Sequence, residues 1–335
     1  MRRAVLAAVL CALALCGCSM QEVSERVPVS AAALDARGDE LLLTAQTVTI
    51  AGADNPPETD CQSIEAKRIG QGMDKGGTRL FWTTAETAVL DELLAERGLS
   101  EQLQALTEEP SIRASIRPCV ALGCQAREIL ETEDSPDGLA SLLDDAVRSG
   151  QAVDVPLYQA LDDRLTAGVD VALPVLTIEE DSVRCDGTVV FHGDTLCGYL
   201  DADETALLAL LRGDTHRIVL YDEDGAGFSL TEVHTTLSVT RDRAEITIRG
   251  ALTDSSAENA QRAAALCRER CDALVSRLQS WNSDALGLGR ELSRTQPSAF
   301  SESDWESRYS TRSVITTVQL TRTQGGSPNG EGSSQ

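Results

Sequence analysis

The sequence predicts an α+β fold, with mixed or antiparallel sheets packed with helices and more than one subdomain. Three observations predict it. The first half interleaves strand-like apolar runs with stretches of helical periodicity. The second half runs strand after strand, joined by short polar turns. One long amphipathic helix then separates those strands from a last one. An apolar fraction of 42% supports a packed core, and with aromatics at 3% that core must be filled by Ala, Leu and Val.

At the N-terminus, Arg2 and Arg3 form a positive n-region ahead of the apolar run 4–16. That run is too short to span a bilayer and suits a signal-peptide h-region. It ends in Leu15-Cys16-Gly17-Cys18. A small residue followed by Cys at the cleavage point resembles the lipobox of bacterial lipoproteins, in which the Cys thiol is acylated and becomes the first residue. Cys18 is therefore the expected lipidation site. The alternative is an ordinary signal peptide cut nearby. Residues 19–28 are polar and read as a tether.

Residues 31–35 and 41–50 read as extended segments around Gly38, the second apolar at its start, as in a strand buried on both faces at one end. Residues 52–60, with Pro56-Pro57, read as a loop. Residues 86–97 read as a helix presenting Ala88, Val89, Leu93 and Leu94, with Gly98 as its stop. A second helix, 99–106, ends before Pro110. Residues 114–122 are a strand candidate, 125–131 and 139–149 are helices, and 155–167 is a helix with Pro156 in its first turn. Pro174 marks a connection.

Residues 182–191, 195–200, 217–221, 228–240 and 243–251 are β-rich, with hairpin turns at Gly193-Asp194 and Arg241-Asp242. Asp201 with Glu204 forms a capping box ahead of helix 206–211, which Gly213 closes. Ser255 with Glu258 forms another, opening a helix that runs to about Trp281. On it Ala260, Ala264, Cys267, Cys271, Leu274, Leu278 and Trp281 recur at three-four spacing as one apolar stripe. Residues 314–320 are a final strand, and the Gly, Ser, Pro and Asn of 324–335 make a disordered tail. The expected organisation is a signal peptide at 1–17, a lipid-anchored tether at 18–28, an N-terminal region at 29–177 that divides into one or two subdomains, a C-terminal domain at 178–323 and the tail.

Beyond the signal, no segment approaches a transmembrane span. The formal charge is −24, and losing Arg2 and Arg3 with the signal makes it two units more negative. Such a chain repels nucleic acid and anionic lipid head groups, and its charge serves solubility. Besides Cys18, cleavage leaves Cys61, Cys119, Cys124, Cys185, Cys197, Cys267 and Cys271, an odd number that cannot all pair within one chain. Free buried thiols fit as well as bridges do.

Chemistry-bearing constellations are sparse. His192, His216 and His234 are not spaced as metal ligands, and Cys185, His192 and Cys197 across one hairpin lack the short regular spacing of a zinc site. Asp222-Glu223-Asp224-Gly225 lacks the later ligands of a calcium loop and reads as a β-turn. Cys267 and Cys271 lie on one helical stripe and read as core packing, since a bridge between them would strain the helix. No nucleophile elbow, zinc-protease motif or P-loop is present. The residues call for no catalytic site, no metal and no cofactor.

The stretch Asp186-Gly187-Thr188-Val189-Val190-Phe191-His192-Gly193-Asp194-Thr195-Leu196-Cys197-Gly198-Tyr199-Leu200, followed by Glu204-Thr205, resembles the Ger(x)C family of spore germination lipoproteins. That family has a Gly-x-Ala-Val-Phe strand, a polar turn, a Leu-Val-Gly-x-Leu strand and Glu-Thr opening a helix. Asp284, Gly287 and Gly289 after the long helix, then Pro297, Trp305, Tyr309 and a last strand, continue the pattern. Ser63-Ile64-Glu65-Ala66, Arg79-Leu80-Phe81, residues 92–98 and Ala126-Arg127-Glu128-Ile129-Leu130 keep the family's order in the first half. Ser19 departs from the Trp that members commonly carry after the lipidated Cys.

The resemblance implies a non-enzymatic C subunit of a nutrient germinant receptor. It would sit on the outer face of the cell membrane or spore inner membrane, beside A-type and B-type membrane subunits. A solute-binding lipoprotein of a transporter is the alternative. It would need two lobes of repeated βα units, against which the strand-rich second half argues.

Overall fold

A computed structural model describes residues 26–49, 57–77, 79–135, 137–253 and 256–323. The expected signal peptide, Cys18, most of the tether, part of the 52–60 loop and the tail lie outside the described residues. The fold is α+β, built on two sheets.

The first sheet is assembled from β1 (Val27–Arg37), β2 (Glu40–Thr49), β3 (Glu58–Ala66), β4 (Leu80–Phe81), β5 (Thr87–Asp91), β6 (Arg117–Ala121), β7 (Ala172–Glu179), β8 (Ser182–His192) and β9 (Thr195–Leu200). Its order is β3-β2-β1-β5-β6-β7-β8-β9, with β4 beside β1. The centre is parallel, β1 to β5 to β6 to β7, and both flanks are antiparallel hairpins. Parallel neighbours need crossovers, and helices supply them. These are α1 (Ile69–Lys75), α2 (Glu92–Arg97), α3 (Leu99–Glu108), α4 (Ala126–Thr132), α5 (Gly138–Ser149) and α6 (Leu157–Leu165).

Strand alternation sorts the centre of the sheet onto two faces. Ala31, Ala33, Val89, Cys119 and Ala121 pack with Ile129 and Leu130 of α4 and Leu139 and Leu143 of α5. Ala32, Leu34, Ala88, Leu90 and Val120 belong to the larger core, with Leu94, Leu99, Leu103 and Leu106. Three buried polar side chains on this sheet, Asp35, Asp91 and Gln46, are partnered, whereas the Thr87 and Thr188 hydroxyls are not. Asp35 accepts from the Ala126 and Arg127 amides at 2.7 and 3.0 Å, holding the first turn of α4. Asp91 caps α2 through the Leu94 amide and also accepts from Ala36, both at 2.7 Å. Gln46 donates to the carbonyls of Leu130 and Glu133 at 3.0 and 2.6 Å.

Helix α7 (Ala202–Arg212) leads to the second sheet. It comprises β10 (Ile218–Tyr221), β11 (Gly227–Val239), β12 (Arg243–Thr253) and, after α8 (Ala257–Ser280), α9 (Leu288–Thr295) and α10 (Glu302–Arg308), β13 (Ser313–Thr323). β12 and β13 are parallel, and α8 lies in the crossover. Its buried face is Ala263, Cys267, Cys271, Leu274, Val275 and Leu278, packed in one core with Ala244, Ile246 and Ile248 of β12.

Several expectations need correction. Residues 87–91 are not the start of a helix; they form β5, buried at every position, and the helix is confined to Glu92–Arg97. A short apolar run inside a parallel sheet carries no alternation to set it apart from a buried helix. Pro174 lies in a strand, at an irregularity in the β7–β8 register, where a missing amide is tolerated. β3 begins at Glu58, inside the expected 52–60 loop, and α1 and β4 carried no periodic signal. Ser255 lies outside the described residues, and the residue that caps α8 is Ser256, accepting from the Asn259 amide at 3.1 Å. Beyond these corrections, the first sheet continues from β7, which contains residue 178, through β8 and β9 to Leu200. The Asp201–Glu204 capping box forms as expected.

Candidate functional site

The two sheets are tied together by the loop that follows α8. Ser283 donates its hydroxyl hydrogen to the Phe191 carbonyl at 2.6 Å, at the end of β8. The Asp170 amide donates to the Asp284 carbonyl at 3.0 Å, and the Asp284 amide returns a bond to Asp170 Oδ2 at 2.7 Å. The Arg290 amide donates to the Gly168 carbonyl at 2.7 Å, and its guanidinium meets buried Asp163 at 2.5 Å. Gly168, at φ +84°, and Gly289 bring two backbones into contact. A Cβ on Gly168 would lie 2.5 Å from the Gly289 carbonyl carbon, so a side chain there forces the loops apart.

Asp284 sits at the centre of this junction, 3% exposed. Its carboxylate accepts from the Leu288 amide at 2.9 Å, the Gly289 amide at 2.8 Å and the Trp305 indole at 3.0 Å. Burial pushes its carboxyl up to about 7, opposed by the backbone donors and reinforced by the charge of Asp170. Asp170 also accepts from the Gly193 amide at 2.7 Å, and so holds the β8–β9 turn. The next residue, Asp194, accepts from the Ser100 amide at 2.5 Å in the first turn of α3.

Beside the junction lies a cavity of about 300 Å³ whose walls include Asp170, His192, Asn282, Asp284, Trp305 and Tyr309. His192 Nε2 lies 3.3 Å from Asn282 Nδ2, and its Nδ1 lies 3.6 Å from Asp170 Oδ2. The buried Tyr309 hydroxyl, Asn282 Oδ1 and His192 Nδ1 have no hydrogen-bond partner. Burial raises the Tyr309 hydroxyl well above the usual range, and the charges of Asp284 and Asp170 add to the shift. These walls bring acceptors and donors together around a small space.

Cys18 lies outside the described residues. Cys185 is buried on β8 opposite Leu176, while Cys197 on β9 directs its thiol to the Val190 carbonyl at 3.3 Å and His192 ends its strand at the cavity. Among the described residues, no group of three or more His, Cys, Asp or Glu side chains is placed to hold a metal ion. Asp222 to Gly225 form the expected turn, with Asp222 accepting from the Asp224 and Ala226 amides. The seven described cysteines are free thiols. Burial pushes Cys61 and Cys197 up to about 11 and Cys185 up to about 12, which disfavours the thiolate form at neutral pH.

Asp170 and Asn282 carry no local sequence signal. Asp284, Trp305 and Tyr309 stand out in the sequence only through the family resemblance, which assigns them no role.

Residues 19–178 match the family model for the spore germination protein N-terminal domain. Residues 186–326 match the model for the spore germination B3/GerAC-like C-terminal domain. No curated protein matches the chain. A crystal structure of the GerBC protein superposes with a TM-score of 0.58 at 14% identity, covering 88% of this chain and 96% of that one. At that identity the likeness is one of fold.

Proposed function

Because this chain belongs to the Ger(x)C family of spore germination proteins, we propose that it is the C-type subunit of a nutrient germinant receptor, anchored by lipid at Cys18 and acting through protein contacts. The observation that carries this reading is the pair of family matches in order, spanning nearly all of the chain after the expected cleavage point. The lipobox supports the anchor and the outer face of the cell membrane or spore inner membrane as its place. No described helix is long and apolar enough to cross a membrane, so the anchor falls to the N-terminus in this reading. Its partners are A-type and B-type membrane subunits. Buried, protonated thiols and the hydrogen-bonded carboxylates of the junction fit a non-catalytic role.

The test is deletion. Spores lacking the protein should lose or slow their response to one class of nutrient, while spore formation and nutrient-independent germination persist. Normal germination with every nutrient, in a genome without a second receptor, sinks the reading. So does turnover of a small substrate by the purified protein that one conservative substitution abolishes.

A further inference from the structure

We propose that the cavity at the sheet junction binds a short aliphatic ammonium cation. The inference stands on the cavity and does not depend on the receptor reading.

The wall is rich in acceptors that the fold leaves unused. Each oxygen of Asp170 takes one backbone N–H, from Gly193 and from Asp284, both at 2.7 Å. A carboxylate has about four lone-pair sites, so roughly half of the acceptor capacity of this cavity-lining residue is not taken by those two donors. Asn282 Oδ1 and the Tyr309 hydroxyl are buried without partners, although buried polar atoms are nearly always satisfied in folded proteins. Tyr309 is 1% exposed, and its hydroxyl lies within the field of both Asp170 and Asp284. A primary ammonium has three N–H donors and no acceptor. It complements a carboxylate, an amide oxygen and a hydroxyl oxygen at once.

The surrounding charge has the same sign preference. Glu302 and Glu306 also line the cavity. The cationic side chain in the wall, Arg164, is already engaged, donating to Ser100 Oγ at 2.6 Å and lying 3.7 Å from Asp194. His192 Nε2 lies 3.3 Å from Asn282 Nδ2, and its Nδ1, 3.6 Å from Asp170 Oδ2, is too far for a hydrogen bond to that carboxylate. An anion entering here would meet the acidic side chains of Asp170, Asp284, Glu302 and Glu306, with Arg164 in the wall already engaged. Leu165, Val169 and Val171 supply an apolar wall for a few methylenes. A volume of about 300 Å³ is at the lower end of small-molecule sites.

The experiment titrates the full-length protein calorimetrically with n-butylammonium, n-butyrate and n-butanol, three probes of similar length and different charge, at constant ionic strength. Saturable binding is expected for n-butylammonium alone. Tyr309→Phe removes only the unpartnered hydroxyl and should weaken binding at least threefold while the thermal midpoint holds or rises. Asn282→Asp keeps a residue tolerant of the left-handed backbone (φ 55°) and adds negative charge, and should tighten binding at least threefold. The proposal is overturned if n-butylammonium does not saturate, if butyrate or butanol binds equally well, or if both variants leave the affinity unchanged.

Discussion

At Asp284, three N–H donors converge on one carboxylate that is only 3% exposed. Asn at this position keeps the shape but turns an amino group toward donors, leaving at least one of them unsatisfied. Asp284→Asn should cost about 1–3 kcal/mol in urea unfolding. The same residue sets a pH dependence. Its folded value of about 7 lies above the ordinary 3.8, so between those values the folded chain holds a proton that the unfolded chain has released. The stability it contributes is complete below about pH 4, falls as pH rises toward 7, and is lost above. Wild-type protein should therefore lose stability from pH 5 to pH 8 more steeply than the Asn variant, and parallel profiles would refute this. Gly198 makes a different kind of contact. A Cβ there would lie 2.5 Å from the Trp281 indole, which is braced by Arg277 4.8 Å from the ring centre. Gly198→Ala should cost about 1–3 kcal/mol by overpacking, and Trp281→Leu in the same background should recover part of it. An unchanged thermal midpoint in the single variant would contradict the contact.

Among the elements, α8 is the one whose loss should propagate furthest. Its buried stripe closes the core of the second sheet, and its C-terminus leads into the junction loop. Leu274 is 1% exposed. Leu274→Asp buries a charge without a partner, a cost of several kcal/mol against a typical total of about 5–15. Circular dichroism and limited proteolysis should show the second sheet unfolded; a native spectrum would mean that the helix is dispensable. Cys267 and Cys271 lie on the same stripe as free thiols, and the hydrogen bond that Cys271 donates to Cys267, together with burial, holds Cys271 well above the usual thiol range. Helical period is strong in α8 because one face meets a sheet and the other meets water. β5 has no such asymmetry: Val89 packs on one face, Ala88 and Leu90 on the other, and all are buried.

For the whole molecule, the junction loop makes the two sheets one mechanical unit, since Ser283, Asp284 and Arg290 bond to the first sheet and its connections while α8 and β13 build the second. The proposed anchor at Cys18 places that unit at a membrane surface through lipid alone. One acyl chain gives marginal residence and two give stable residence, so Cys18→Ala should move the protein to the soluble fraction or block its processing. A variant still cleaved before residue 18 and still fully membrane-bound would exclude the anchor.

The sequence by itself determined what is decided within a few residues: the Asp201–Glu204 capping box, the Gly193-Asp194 turn and the stripe of α8. It also carried the ordered family pattern, because that pattern runs along the chain. The tertiary structure alone decided that residues 87–91 extend instead of coil, that Pro174 sits at a register irregularity, and that β1 lies between β2 and β5. It alone joined Asp170 to Asp284 across 114 residues. A cap or a turn is fixed by groups a few bonds apart. A buried strand is fixed by neighbours contributed from distant segments, and a carboxylate acquires its proton affinity only from the burial and donors that the completed fold puts around it.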